Sequence, residues 1–156
     1  MSFEVSTAGR VLFGEGSVRE VPSLASSLGS RALVVTGKTP GRHEGLIASL
    51  GAAGVAVELF PVKGEPTVAM VGGGIEAARK SGAQIVIGIG GGSVIDAAKA
   101  VAAFVTNGGG LMDHLEVIGG ARPLELPAAP CIAVPTTAGT GSEVTRNSVI
   151  ASPERG

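Results

Sequence analysis

Three glycines in a row, Gly90-Gly91-Gly92, followed at once by Ser93, are the residues in this chain best suited to chemistry. They end the apolar run Gln84-Ile85-Val86-Ile87-Gly88-Ile89 and precede Val94-Ile95-Asp96-Ala97-Ala98-Lys99-Ala100-Val101, which has helical spacing. A loop without side chains lets its backbone approach an anion closely, and the N–H groups opening a helix supply positive partial charge. The chemistry implied is phosphate binding by backbone. Ser93 and Asp96 also match the spacing of a capping box, S-x-x-D, ahead of an apolar run. The plain alternative is a tight strand-to-helix turn that binds nothing, although a turn alone rarely needs three consecutive glycines. The usual dinucleotide fingerprint is not matched. Gly88-Ile89-Gly90-Gly91-Gly92-Ser93 carries Ser where the last Gly or Ala belongs, and it follows the third expected strand, not the first. Spacing alone argues for a phosphate and leaves the rest of the ligand open.

Two further loops could serve the same ligand. Pro135-Thr136-Thr137-Ala138-Gly139-Thr140-Gly141-Ser142-Glu143 places four hydroxyls and two glycines behind an apolar run. Such a loop can donate hydrogen bonds to phosphate, ribose or carboxamide oxygens without adding charge; its alternative task is capping its own turns. Gly37-Lys38-Thr39 suggests a P-loop, but the Gly required five positions earlier is Ala32, so a turn leading into a Pro40-led helix is the better reading. Lys38 or Arg42 could still neutralise phosphate there. No nucleophile or metal constellation stands out. His43 and His114 are isolated and fit surface or structural places, and Cys131 sits in an apolar run as a small buried hydrophobe.

The elements that must position these loops alternate. Phe3 to Phe13 reads as two short extended pieces around Ala8-Gly9, and Ser17 caps a helix through Leu28. Strands are expected over Arg31–Thr36, Val55–Phe60, Gln84–Ile89 and Cys131–Val134. Helices are expected up to Leu50, from Pro66 to Lys80 and from Ser93 to Val105, with a short turn of helix over Leu111–Glu116 and a last extended piece near Asn147–Ala151. Strands alternating with helices of this length require crossover connections. The expected fold is α/β: a Rossmann-like, doubly wound, mostly parallel sheet with helices on both faces, forming a single domain over residues 1–156. The three rich loops each follow a strand, so they should meet at the carboxyl edge where such sheets bind ligands.

Composition narrows the field. Glycine supplies 26 of 156 residues, more than double its usual share, and it falls at element ends, not in a repeat. The apolar share of 44% and charged share of 16% fit a globular protein. Twelve basic residues against 13 acidic ones, with 3% aromatics, offer neither a basic stripe nor stacking platforms, so nucleic acid is not an expected partner. The single cysteine excludes an internal disulfide and fits a reducing compartment. Met1-Ser2-Phe3-Glu4 does not open a signal peptide, and the longest apolar runs fall well short of the roughly 20 residues of a membrane span. The chain reads as cytoplasmic, without a membrane partner.

Phe13-Gly14-Glu15-Gly16-Ser17, the run from Gly90 to Lys99 and the run from Pro135 to Thr145 together resemble the iron-containing alcohol dehydrogenase family, over essentially the whole chain. Sister groups differ at these positions: glycerol dehydrogenases tend to have Lys where Ser93 stands, maleylacetate reductases lack the counterpart of Asp96, and dehydroquinate synthases lack this form of the hydroxyl loop. The resemblance implies a dehydroquinate synthase-like N-terminal domain and hydride transfer between an alcohol or aldehyde and NAD or NADP. It puts Gly91, Gly92 and Ser93 on the pyrophosphate, Thr136, Thr137 and Thr140 on phosphate and nicotinamide, and Val149 against the ring. Asp96 and Lys99 would line the same cleft. Gly37 stands where many members hold the adenosine ribose with Asp; with Lys38 beside it, a 2′-phosphate would be tolerated, so both cofactors stay open. Glu65 stands where many members carry Asn, leaving that adenine contact unmatched. The family's metal, Fe²⁺ or another divalent ion, is bound by an Asp and three His of a following helical domain that these 156 residues do not include. No catalytic or metal-binding residue is therefore assigned here, and the expectation is cofactor binding without alcohol turnover by this chain alone. The alternative is a stand-alone, non-catalytic dinucleotide-binding module or a truncated gene product. The N-terminal extended pieces could also pair between two copies as a homodimer.

Overall fold

The computed structural model describes residues 7–154. Four strands, β1 (Arg31–Thr36), β2 (Ala56–Pro61), β3 (Ile85–Gly90) and β4 (Cys131–Pro135), form one sheet in the order β2-β1-β3-β4. Every pairing is parallel. The helices are α1 (Val21–Leu28), α2 (Glu44–Ala52), α3 (Val68–Ser81), α4 (Gly92–Thr106) and the single turn α5 (Leu111–His114).

The sheet is doubly wound. On one face Ala25 of α1 and Leu50 of α2 pack with Ala32, Val34, Ile85 and Ile87. On the other, Val71, Ile75 and Ala78 of α3 and Val94, Ala98 and Val101 of α4 pack with Leu33, Val35 and Val86. Alternate residues of β1 and β3 thus serve opposite layers, which is why both strands read as unbroken apolar runs. Every residue of β3 is buried, and each buried aliphatic side chain contributes about 1.5–3 kcal/mol of transfer free energy. Gly88 lets α4 come this close: a Cβ there would stand 2.8 Å from the Cβ of Ala98. Arg79 of α3 closes the far end of α4 by donating to the carbonyls of Phe104 and Asn107 at 2.9 and 3.0 Å. Among the described residues no helix is long and apolar enough to cross a membrane.

Several expected boundaries move, each for a tertiary reason. Residues 7–13 form no strand, and residues 3–6 of that expected pair lie outside the described residues. Ser17 does not cap a helix; it opens a 3₁₀ turn, Ser17–Glu20, which runs into α1. Pro66 does not start α3, because its carbonyl accepts the N–H of Ala151 at 2.8 Å and Thr67 bridges Ala151 in parallel. Held extended, Thr67 becomes the cap instead, and its Oγ1 accepts the Met70 N–H at 3.2 Å. That one bridge is also all that forms of the extended piece expected near Asn147–Ala151. Cys131 differs in part from the buried hydrophobe expected. As the first residue of β4, which among the described residues is an edge strand, it is exposed at the surface. The protein packed around its thiol nonetheless desolvates it and pushes its pKa up to about 11.

Candidate cofactor-binding site

The strand order makes a crevice. From β1 the chain passes to α2 on one face, and from β3 it passes to α4 on the other, so the loops leaving these neighbours diverge. This is the topological switch point at which doubly wound sheets bind ligands. In register, Thr36 lies opposite Ile89 and Gly90 opposite Pro135. Gly37, Gly91 and Thr136 therefore leave three adjacent strands at one level of the carboxyl edge.

Gly91 is the N-cap of α4, extended at φ −78° and ψ −174°, and its carbonyl accepts the N–H groups of Val94 and Ile95. The amides of Gly92 and Ser93, in the first turn, have no carbonyl one turn back to bond, so they point out of the helix as donors. Ser93 is partly exposed beside them. The capping box expected from Ser93 and Asp96 does not form: no side chain caps α4, and Asp96 is engaged elsewhere.

The hydroxyl loop is tied directly to this turn. The Thr136 N–H donates to the Gly90 carbonyl at 2.9 Å. A Cβ on Gly91 would lie 3.2 Å from the Oγ1 of Thr137, and one on Gly92 would lie 3.0 Å from the Oγ of Ser142 and 3.2 Å from the Cβ of Thr140. Gly139 and Gly141 adopt φ of 89° and 70°, a left-handed backbone that favours glycine and folds the loop back over the turn. Thr136, Thr137 and Thr140 stay exposed, while Ser142 is buried against Gly92. Ser142 was legible as one hydroxyl of the loop; that it packs on the glycine turn was not. On the other flank Gly37 faces open space, with no atom within 4 Å of an added Cβ, and Lys38 and Arg42 are exposed nearby in sequence.

Asp96 and Lys99 are brought together, but they face the protein. Asp96 is buried and receives the Lys99 ammonium on Oδ1 at 3.0 Å and the Val149 N–H on Oδ2 at 3.3 Å. Lys99 Nζ also donates to the carbonyl and Oγ1 of Thr145, at 3.1 and 3.3 Å, and to the carbonyl of Asn147. Val149 itself is 74% exposed. At the glycine turn the positive character comes from the amide dipoles that open α4. A small pocket of about 130 Å³ lies elsewhere, around Asn107, His114, Arg122 and Glu125, roughly 22 Å away at the far end of α4 by helix rise. There His114 packs edge-on to Phe104 and its Nδ1 meets the Arg122 carbonyl at 2.8 Å, a structural place. Among the described residues no three His, Cys, Asp or Glu gather into a group that could hold a metal ion.

Residues 8–156 match the family model described as iron-containing alcohol dehydrogenase. The chain belongs to that family. It is 38% identical over 161 aligned residues to a choline dehydrogenase of Bacillus subtilis, an alignment covering 99% of this chain and 39% of that protein. Among solved structures, a 1,3-propanediol oxidoreductase superposes with a TM-score of 0.89 at 31% identity, over 99% of this chain and 41% of the other. A sulfoacetaldehyde reductase of Bifidobacterium kashiwanohense, solved in complex with NAD+, superposes with a TM-score of 0.84 at 30% identity, over 100% and 42%. The chain thus spans about two fifths of the length of these family relatives. The α/β fold expected from the sequence is the one these neighbours share.

Proposed function

We propose that this chain binds NAD or NADP across the carboxyl edge of its sheet, and that it supplies the cofactor half of an alcohol-oxidising, aldehyde-reducing dehydrogenase. The observation that carries the proposal is the union of two donor sets at one switch point. The free amides opening α4 and the hydroxyls of Thr137 and Ser142 converge on the same turn, while Thr140 lays its Cβ and Cγ2 against Gly92 and turns its hydroxyl to Glu143.

In this reading the N–H groups of Gly92 and Ser93 receive the pyrophosphate, and Gly91 keeps the approach open. A dinucleotide held there must place one nucleoside over β1 and the other over β4. Gly37 then faces the adenosine ribose. With no carboxylate at that position, and with Lys38 next to it, a 2′-phosphate is accepted as readily as a hydroxyl. Thr136, Thr137 and Thr140 donate to phosphate and carboxamide oxygens on the β4 side, and exposed Val149 offers an apolar contact to the ring. Asp96 acts through the backbone it holds. The nicotinamide, when bound, supplies the hydride acceptor or donor.

The family's iron does not fit the described residues, because among them no three His, Cys, Asp or Glu gather into a ligand set. What the geometry offers is binding and orientation. The test is titration of NADH and NADPH into the purified chain, read as enhanced nicotinamide fluorescence. Saturable enhancement supports the proposal; its absence at millimolar cofactor refutes it.

A further inference from the structure

Ser142 lies against Gly92 at the start of α4, Thr145 and Asn147 bond the Lys99 ammonium, and the Val149 N–H bonds Asp96. The ammonium itself reaches back to Asp96 at 3.0 Å, so residues 145–149 make a reversal around one charged pair. The reversal contains no regular secondary structure. Its backbone is held from inside by one ion pair whose side chains are only 15% (Lys99) and 11% (Asp96) exposed.

We infer that Asp96 and Lys99 are positioning residues that aim Val149 at the nucleoside half lying over β4. The inference rests on the binding mode proposed above. Lys99 has the chemistry for it: an ammonium has three N–H donors and no acceptor, and here Asp96, Thr145 and Asn147 account for all three. It has no donor left for a phosphate. Asp96 matches it, with one oxygen on the ammonium and the other on the Val149 N–H. Removing the ammonium leaves the carbonyls of the reversal unpaired and frees the segment to unwind. The ordering cost then falls on cofactor binding, and it falls on one half of the ligand only. The pyrophosphate amides belong to α4 itself and do not move.

Two ligands, each titrated into three proteins, separate this from a general structural role. NADH and ADP are titrated into the wild-type chain, Lys99→Met and Lys99→Arg. ADP carries the adenosine and the pyrophosphate but not the nicotinamide nucleoside. Lys99→Met should weaken NADH on the order of tenfold, the cost of ordering a released segment, while ADP affinity changes less than about twofold on the same argument. Lys99→Arg, which keeps the charge and the donors, should recover most of the NADH affinity. Equal losses for both ligands, or no loss for either, would overturn the inference. Failure of the wild-type chain to bind either ligand would instead sink the proposed binding mode and this inference with it. Should Lys99→Met not fold, hydrogen exchange on the wild-type chain decides. The Val149 amide should exchange more slowly than its neighbour Ser148, and equal rates would show the clasp to be open.

Discussion

Replacing Gly92 by valine tests the cradle where its geometry is tightest. An added Cβ stands 3.0 Å from the Ser142 Oγ, 3.2 Å from the Thr140 Cβ and 3.4 Å from the Thr140 Cγ2. The two methyls of valine reach beyond that Cβ, so the hydroxyl loop must lift away from the turn. Gly92 is the first residue of α4 and does not use a left-handed backbone, so valine is not strained there, and its better helix propensity returns a few tenths of a kcal/mol. Folding should therefore suffer little. Binding should suffer much more, because the space beside two free amides is filled and the hydroxyls are displaced. A hydrogen bond to a charged group contributes about 1.5–3 kcal/mol, so losing one alone weakens the cofactor roughly ten- to a hundredfold. NADH fluorescence titration reads the affinity, and urea unfolding of the same samples reads the stability. The reasoning predicts a large fall in the first and a small change in the second, with Gly92→Ala between wild type and valine. Unchanged NADH affinity in a folded Gly92→Val chain would show that the pyrophosphate lies elsewhere.

Three other substitutions probe different parts of the same scaffold. Gly88→Val inverts the pattern of Gly92→Val: its Cβ would meet the Ala98 Cβ at 2.8 Å and force α4 off β3, costing about 1–3 kcal/mol as overpacking, and an unshifted urea midpoint would contradict it. Asn107→Ala removes a buried amide whose Oδ1 accepts the N–H groups of Glu125 and Leu126 at 3.0 and 2.8 Å, and whose Nδ2 donates to the carbonyls of Ala103 and Leu126. With about 1–3 kcal/mol for each buried group left unsatisfied, calorimetry should record a markedly lower Tm, and a Tm near wild type would refute the assigned network. Gly37→Asp places a carboxylate where the adenosine ribose is proposed to lie. NADPH should then weaken on the order of tenfold more than NADH through like-charge repulsion, and equal effects in parallel titrations would remove Gly37 from the ribose site.

Much of the scaffold is legible in the sequence because it is written locally. Ile85–Ile89 is apolar without alternation, so a strand buried on both sides follows, and the glycines after it leave one place for the turn into α4. Where the reading failed, the deciding partner was far away in the chain. Pro66 has every local property of a helix start, yet Ala151, 85 positions later, claims its carbonyl. Ser93 and Asp96 have capping-box spacing, yet Lys99 and the Val149 N–H take both oxygens of Asp96. Cys131 belongs to an apolar strand, but whether that strand is central or at an edge depends on sheet order, which no local window contains.

The same distinction divides the site's main motif. Gly90 to Ser93 acts outward and locally: backbone conformation and helix geometry suffice to make its donors. Asp96 and Lys99, one and two turns further along, act inward on chain that has not yet been laid down when α4 ends. Their three-residue spacing puts them on the helix stripe below Ser93, facing the returning segment. A charged pair on a buried stripe is costly unless each partner is satisfied, and here the backbone of the reversal completes both. The pair therefore selects one path for residues 142–149 by penalising every path that leaves it unpaired. A folded chain with Asp96 and Lys99 both replaced by apolar residues of similar size would keep its stability and lose that selection. Its predicted signature is a normal Tm with faster amide exchange confined to residues 145–149, whereas a collapse of Tm would show the pair to serve the core and not the loop.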